Sequence, residues 1–280
     1  MLSLKKARAV LFFLAIFILM TVFETRPGGV SGQKCGCAPQ ECCSQYGYCG
    51  TGDAYCGSGC RGGRCYSSQN NGVSGIVTDE FFNGILDQAD GECPGKGFYT
   101  RDAFLEALSS YPDFGAVGST DDSKREIAAF FAHVTLESGF MCYIEEINGP
   151  SKAASGEYCD TQNTEYPCKW DKGYYGRGPI QLSWNYNYGA AGESIGFDGL
   201  NDPDIVARDR IISFKTALWF WMNQCHQIIT SGQGFGGTIR AINGPRECDG
   251  VNPSTVRARV GYYLEYCDKL GVDPGTDLSC

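Results

Sequence analysis

Eight of the sixteen cysteines of this 280-residue chain fall between residues 33 and 65. A stretch so short cannot bury enough apolar surface to fold unaided. Cysteines 35, 37, 42, 43, 49, 56, 60 and 65 therefore predict a disulfide scaffold in an oxidising compartment. A zinc site is the competing reading; the stretch has no histidine to support it. Residues 1–32 agree with export. Lys5, Lys6 and Arg8 precede an apolar run over residues 9–23 that is short for a membrane span. A signal peptide cleaved near Gly32–Gln33 is expected. No second long apolar run follows, so a soluble mature chain with no membrane partner is expected. The net charge of −9 argues against nucleic acid or anionic membrane as the main partner.

Between the clustered cysteines stand Ser44, Tyr46, Tyr48 and Tyr55. So small a module cannot hide every aromatic. Exposed rings can stack on sugar C–H faces while a hydroxyl hydrogen-bonds; the alternative is that one or two simply pack on the disulfides. Residues 66–75 are polar and rich in Gly, Ser and Asn, which predicts a flexible linker. Residues 76–280 predict one mainly helical domain, two-lobed with a cleft. Helices are expected over Asp79–Gln88, Thr100–Ser109 (capped by Thr100) and Ile212–Cys225, the last with a core stripe of Phe214, Leu218, Trp221 and Met222. A final helix, capped by Ser254 and ended by Gly271, should turn Val256, Val260, Tyr263, Leu264 and Cys267 inward.

Within that domain, residues 125–139 predict an apolar helix stopped by Gly139. It carries Glu137 one turn after His133, on the same face. Glu145 and Glu146 follow in the next loop. A carboxylate on an apolar helix is unusual, because burying an unpaired charge is costly; a solvent-facing or helix-capping glutamate is the plain alternative. Tyr174–Gly189, YYGRGPIQLSWNYNYG, is dense in amides and aromatics and reads as a polar cleft wall more than as core. Ala241–Cys248, AINGPREC, adds an amide and an acid.

Residues 33–65 resemble hevein, the small plant chitin-binding lectin module, through CCSQYGYCGTGDAYCGSGC at Cys42–Cys60. The first loop, Cys35–Gly36–Cys37, is shorter than hevein's. That resemblance implies that Ser44, Tyr46, Tyr48 and Tyr55 hold N-acetylglucosamine units, with pairs Cys35–Cys43, Cys37–Cys49, Cys42–Cys56 and Cys60–Cys65. Over residues 33–280 the chain resembles class IV plant chitinases of glycoside hydrolase family 19. The motifs are AHVT-x-E, CYIEEINGPS, GYYGRGPIQLSWNYNYG, TIRAINGPREC and RVGYYLEYC. The resemblance implies a lysozyme-like fold and an inverting endochitinase that cleaves β-1,4-linked N-acetylglucosamine polymers. It implies Glu137 as general acid, Glu146 as general base and Ser183 as a holder of the attacking water. Gln181, Asn187 and Asn243 would be cleft amides, and Glu247 with Arg259 a charged network supporting the base. It further implies the pairs Cys93–Cys142, Cys159–Cys168 and Cys248–Cys280, with Cys225 and Cys267 left unassigned. A monomer acting on chitin and its oligomers, with no metal and no cofactor, is expected.

The residue types suit that chemistry. Inversion needs one protonated carboxyl for the leaving oxygen and one ionised carboxylate for water on the opposite face. Desolvation should raise the pKa of Glu137, and Arg259 near Glu146 should keep the base ionised. Leu136 and Phe140 depart from the family, which usually has histidine before the acid and often another three residues after it. These departures keep open a chitin-binding, lectin-like protein with a weakened catalytic domain; lysozyme-like action on peptidoglycan is a third reading. The chain stops at Cys280 without the C-terminal extension of vacuolar relatives, so a secreted, extracellular end point is expected, with a defence role against chitin-walled organisms.

Overall fold

The computed structural model describes residues 35–37, 41–44, 46–50, 60–63 and 71–280. The expected signal peptide, Tyr55, Cys56, Cys65 and residues 66–70 of the expected linker lie outside the described residues. The chain divides into two units between Gly63 and Arg64.

In the first unit a small antiparallel sheet runs in the order β2–β1–β3. Its strands are β1 (Cys42–Ser44), β2 (Cys49–Gly50) and β3 (Cys60–Gly63). Cys43 faces Cys49 across one ladder and Gly62 across the other, with a register shift between Cys43 and Ser44. Strands of two to four residues cannot hold such a sheet alone. The bonds Cys35–Cys43 and Cys37–Cys49 tie β1 and β2 to the segment before them. The sulfurs of Cys35, Cys37 and Cys49 lie close together, but all three are consumed in these S–S bonds.

The second unit is helical. Its helices are α1 (Asn71–Ile76), α2 (Asp79–Leu86), α3 (Arg101–Leu108), α4 (Thr120–Ser138), α5 (Gly149–Ala154), α6 (Asn185–Ile195), α7 (Ile205–Arg208), α8 (Arg210–Gln224), α9 (His226–Thr230), α10 (Gly234–Glu247) and α11 (Pro253–Leu270). Among the described residues no helix is long and apolar enough to cross a membrane.

Local chemistry sets the ends. The Thr78 and Thr100 side chains accept from the amides of Phe81 and Ala103, 3.1 and 3.2 Å away. Helix α4 starts earlier than its apolar periodicity suggests, because Ser119 and Asp122 form a reciprocal capping box. It stops at Gly139, whose φ of 61° is left-handed. Three expectations are corrected. The cap of α11 is Asn252, which accepts from Thr255 N; Pro253 then takes the first helical position and Ser254 lies inside. Leu264 is 40% exposed, so it is not an inward residue of that helix. Residues 71–75, expected as the end of a flexible linker, form α1 instead. Buried Val73 packs into the main core there, and Arg101 donates to the carbonyls of Ser74 and Val77.

Two apolar cores lie side by side. The larger gathers α2, α3, α4, α8 and α11 around Phe82, Phe104, Phe130 and Trp221. The smaller is built from Tyr174, Leu182, Tyr188, Ala191 and Val206. Helix α8 serves both. Phe214, Leu218 and Trp221 enter the first core, while Ile212 and Trp219 pack against the second. The predicted stripe is therefore one of two apolar faces. The bonds Cys93–Cys142, Cys159–Cys168 and Cys248–Cys280 are present, and Cys225 and Cys267 are free, buried thiols. The pairs Cys42–Cys56 and Cys60–Cys65 involve cysteines outside the described residues.

Candidate active site

A cavity of about 560 Å³ opens between the two cores. Glu137 enters from the end of α4, and Glu146 from the loop before α5. Gln181, Ser183, Trp184 and Asn187 line the opposite wall, and Asn243 projects from α10. All of the expected site residues of the catalytic domain except Glu247 and Arg259 line the cavity; those two lie buried behind Glu137.

Arg259 organises the Glu137 side. It is 1% exposed and donates from Nε and Nη2 to both carboxylate oxygens of Glu247, each at 2.8 Å. Nη2 also contacts Glu137 Oε1, and Nη1 lies 3.0 Å from His133 Nδ1. His133 Nε2 is 2.8 Å from Thr238 Oγ1, whose own proton goes to Phe235 O. His133 therefore donates from Nε2 and accepts at Nδ1, a neutral imidazole. Burial and the Arg259 charge accordingly hold its pKa well below the ordinary value. The sequence expectation that His133 and Glu137 share a face holds, since both reach Arg259. Asn243 sits at a kink in α10, with φ −148° just before Pro245, and donates to Glu247 Oε1 at 2.8 Å.

Glu146 is held by different groups, and the expected Arg259 support is corrected here. Arg259 hydrogen-bonds Glu137, Glu247 and His133, while Lys152 Nζ and Tyr158 OH both donate to Glu146 Oε1, the latter at 2.8 Å. Oε2 accepts only from Gly176 N, at 3.2 Å. Glu146 N in turn donates to Gly176 O at 2.8 Å, so the base segment is stitched to the opposite wall. Lys152 comes from α5, which the left-handed Asn148 (φ 60°) turns back across the loop. Neither Lys152 nor Tyr158 was picked out by sequence reasoning; a lone lysine six residues past the acid carries no periodic signal. Glu145 points elsewhere, to Arg177 Nε and Tyr175 OH, each at 3.1 Å.

The electrostatics separate the two cavity carboxyls. Burial raises the pKa of Glu137, opposed by Arg259. Burial would raise Glu146 as well, but its hydrogen bonds to Lys152, Tyr158 and Gly176 outweigh that and hold it below the ordinary value. The wall is braced through backbone contacts. Ser183 Oγ donates to Gln181 O, Asn187 Nδ2 to Ser183 O, and Gln181 Nε2 to Gly178 O, all at 2.9–3.0 Å. Gln181 (φ 52°) and Trp184 (φ 78°) hold left-handed backbones that a side chain disfavours, and both face the cavity. The two carboxyls, Glu137 raised and Glu146 lowered, are of the kind that can donate a proton to one group and take one from water at another.

In the small module, Tyr46 and Tyr48 are 76% and 69% exposed, so neither ring is spent on packing the disulfides. Ser44 is buried, and its hydroxyl accepts from Tyr48 N at 3.4 Å, so it braces the tyrosine-bearing turn.

The family model for glycoside hydrolase 19, described as "Chitinase class I", matches residues 76–280. Endochitinase EP3 of Arabidopsis thaliana is 59% identical over 270 residues, covering 95% of this chain and 97% of the relative. Endochitinase A of Zea mays is 54% identical and covers 94% and 96%. Among solved structures, the family 19, class IV chitinase from Zea mays is 57% identical with a TM-score of 0.68, covering 74% of this chain and 98% of that one. Chitinase C from Streptomyces griseus is 40% identical with a TM-score of 0.67, covering 73% and 97%. With its helical domain matched from end to end, the chain belongs to glycoside hydrolase family 19.

Proposed function

We propose that this chain is an endochitinase that hydrolyses β-1,4 links of N-acetylglucosamine polymers with inversion. The observation that carries the reading is the pair Glu137 and Glu146, lining one cavity with pKa values pushed in opposite directions. Glu137, whose pKa burial raises, donates to the glycosidic oxygen as the C–O bond breaks. Glu146, kept ionised, takes a proton from water attacking the anomeric carbon on the other face. Lys152 and Tyr158 occupy Oε1, so Oε2 is the oxygen that receives the proton. Ser183, which lines the same cavity, helps hold that water, and Gln181, Asn187 and Asn243 hold the acetamido and hydroxyl groups. Arg259 carries the charge left on Glu137 after transfer, sharing its donors with Glu247.

The hevein-like module at residues 33–65 delivers the enzyme to insoluble chitin through exposed Tyr46 and Tyr48, with Ser44 bracing the turn that carries them and Tyr55 assigned by the resemblance. Export behind a signal peptide over residues 1–32, a secreted monomer and a role against chitin-walled organisms complete the reading; the disulfides and the kinship to plant endochitinases support it. The deciding experiment is digestion of defined N-acetylglucosamine oligomers with anomeric product analysis. Initial release of the α-anomer is expected. Release of the β-anomer would mean retention and overturn the two-carboxylate inversion, and no release would leave a chitin-binding protein.

A further inference from the structure

The chain has four tryptophans. Trp221 is buried in the main core, Trp219 packs against the smaller one and Trp184 lines the catalytic cavity. Trp170 does none of these and is 97% exposed. A single exposed aromatic is ordinary; a rigidly mounted one beside a cavity is not. The disulfide Cys159–Cys168 ends two residues before it. Lys172 N closes a turn onto Lys169 O at 3.1 Å. Lys169 N is tied at 3.0 Å to Tyr174 OH, which donates to Leu200 O at 2.9 Å. The turn that carries the indole is thus fastened to the smaller core.

Beside it lies a second cavity, of about 340 Å³, sharing no lining residue with the first. Helix α5 is the partition. Its Lys152 faces Glu146, and its Ala153 and Ala154 face the second cavity. The floor is Arg177, 1% exposed, whose guanidinium stacks on Tyr175 with its carbon 3.7 Å from the ring centre. The cations of this cavity are already paired. Arg177 is shared between Asp204 and Glu145, and Lys172 pairs with Asp171 at 3.2 Å. It therefore offers no free cation to an anion. What it offers is a flat apolar face, small apolar walls and carboxylate oxygens that accept hydrogen bonds. A neutral ligand rich in hydroxyl or amide donors, with a hydrophobic C–H face, matches that set.

We propose that this cavity is a second glycan site of the catalytic domain. It holds a segment of a β-1,4-linked N-acetylglucosamine chain stacked on Trp170, with donors of the sugar turned to Asp204 and Asp171. The occupant rests on the function proposed above. The site would keep a polymer on the domain independently of the cleft, so that insoluble chitin is gripped at two places by one fold.

The test is adsorption of the full chain to colloidal chitin, with the small module silenced by Tyr46→Ala and Tyr48→Ala. Trp170→Ala in that background should weaken adsorption about two- to twelvefold, the range of one lost stacking contact. Trp170→Phe should restore most of it, and Ala154→Arg, which fills the cavity from an exposed position of α5, should reproduce the loss. Thermal unfolding of each variant confirms the fold. Unchanged adsorption for both Trp170→Ala and Ala154→Arg in folded protein overturns the site, as does equal loss for Trp170→Phe and Trp170→Ala. Oligomer hydrolysis by the unaltered chain separates this outcome from the parent reading. Hydrolysis with Trp170-independent adsorption removes only the second site. Trp170-dependent adsorption without hydrolysis removes only the enzyme.

Discussion

The Arg259 guanidinium closes on the Glu137 carboxylate, and its remaining donors go to Glu247 and His133. A cation thus stands behind the carboxyl that should remain protonated, while the base is steadied by a lysine from a different helix. The pairing is consistent with acid catalysis because burial outweighs Arg259 at Glu137 and the raised pKa survives. The cation is then already in place when the proton leaves.

Removing that cation should damage the fold before it damages the chemistry. Arg259→Met would leave Glu247, 4% exposed, without the one ionic partner it has among the described residues, next to Glu137. Breaking a buried pair by deleting one member typically costs about 3–5 kcal/mol. Chemical denaturation should show a loss of that size. A loss below about 1 kcal/mol, as for a surface ion pair, would mean that water reaches this network.

The three acidic side chains should rank clearly. Glu137→Gln removes the proton donor and should cost at least ~10²–10⁴ in kcat, with the fold intact. Glu146→Gln should be comparably severe. Glu145→Gln should be far milder in kcat, because that carboxylate is turned to Arg177 and Tyr175 and does not line the cavity. Steady-state rates on a soluble oligomer decide it. A greater loss at Glu145 than at Glu146 would reassign the base.

Much of this was readable from the chain, and the misses have physical causes. Glu137 stood out because a carboxylate on an apolar helix needs a partner, and His133 shared its face by simple periodicity. The partner itself, Arg259, lies 122 residues away, and local pattern cannot say which of two acids it will meet. Lys152 depended on a left-handed Asn148 that aims a six-residue helix back at the loop. Helix α8 showed one apolar stripe in sequence but has two, since a helix between two cores has little solvent face left. The linker misreading came from composition. Gly, Ser and Asn around Val73 look flexible, yet one buried valine and an arginine that donates to the carbonyls of Ser74 and Val77 are enough to dock them.

A second titration lies away from the cavity. Glu126, 1% exposed, accepts from Trp221 Nε1 at 2.8 Å and Gly115 N at 2.9 Å, and lies 2.6 Å from His226 Nδ1. The hydrogen bond to Glu126 raises the His226 pKa above its ordinary 6.5, against the opposing effect of burial. A folded pKa above the unfolded one gives stability that is complete below the unfolded value and is lost as pH rises through the folded one. The unfolding midpoint should therefore fall as pH rises through neutrality, and His226→Gln should flatten that fall. An unchanged slope in the variant would assign the dependence to other groups.

In the small module, Tyr48→Ala should weaken adsorption to chitin beads, because its ring is 69% exposed on the turn between β1 and β2. One stacking face is worth about 0.5–1.5 kcal/mol, or roughly two- to twelvefold in affinity. Adsorption that is indifferent to Tyr48 would place chitin capture elsewhere on the chain.

The pH profile of hydrolysis should expose the lysine that sequence reasoning did not find. The base works only when ionised, so activity is lost on the acid side as pH falls through the Glu146 pKa. The acid works only when protonated, so activity is lost on the alkaline side as pH rises through the Glu137 pKa. Lys152 and Tyr158 hold Glu146 down against the upward push of its burial. Lys152→Met removes the charged donor and leaves Tyr158 and Gly176 alone on the carboxylate. The Glu146 pKa should rise, and the acid limb of kcat should move to higher pH. Each pH unit of that movement costs about tenfold in rate below both values, since one unit is one decade in the ionised fraction. The alkaline limb should stay where it is, because Lys152 makes no contact with Glu137 among the described residues. Arg in place of Lys152 should return the acid limb most of the way if charge is what matters. A uniform fall in rate at every pH, with both limbs unmoved, would show that Lys152 only props up α5 and does not tune the base.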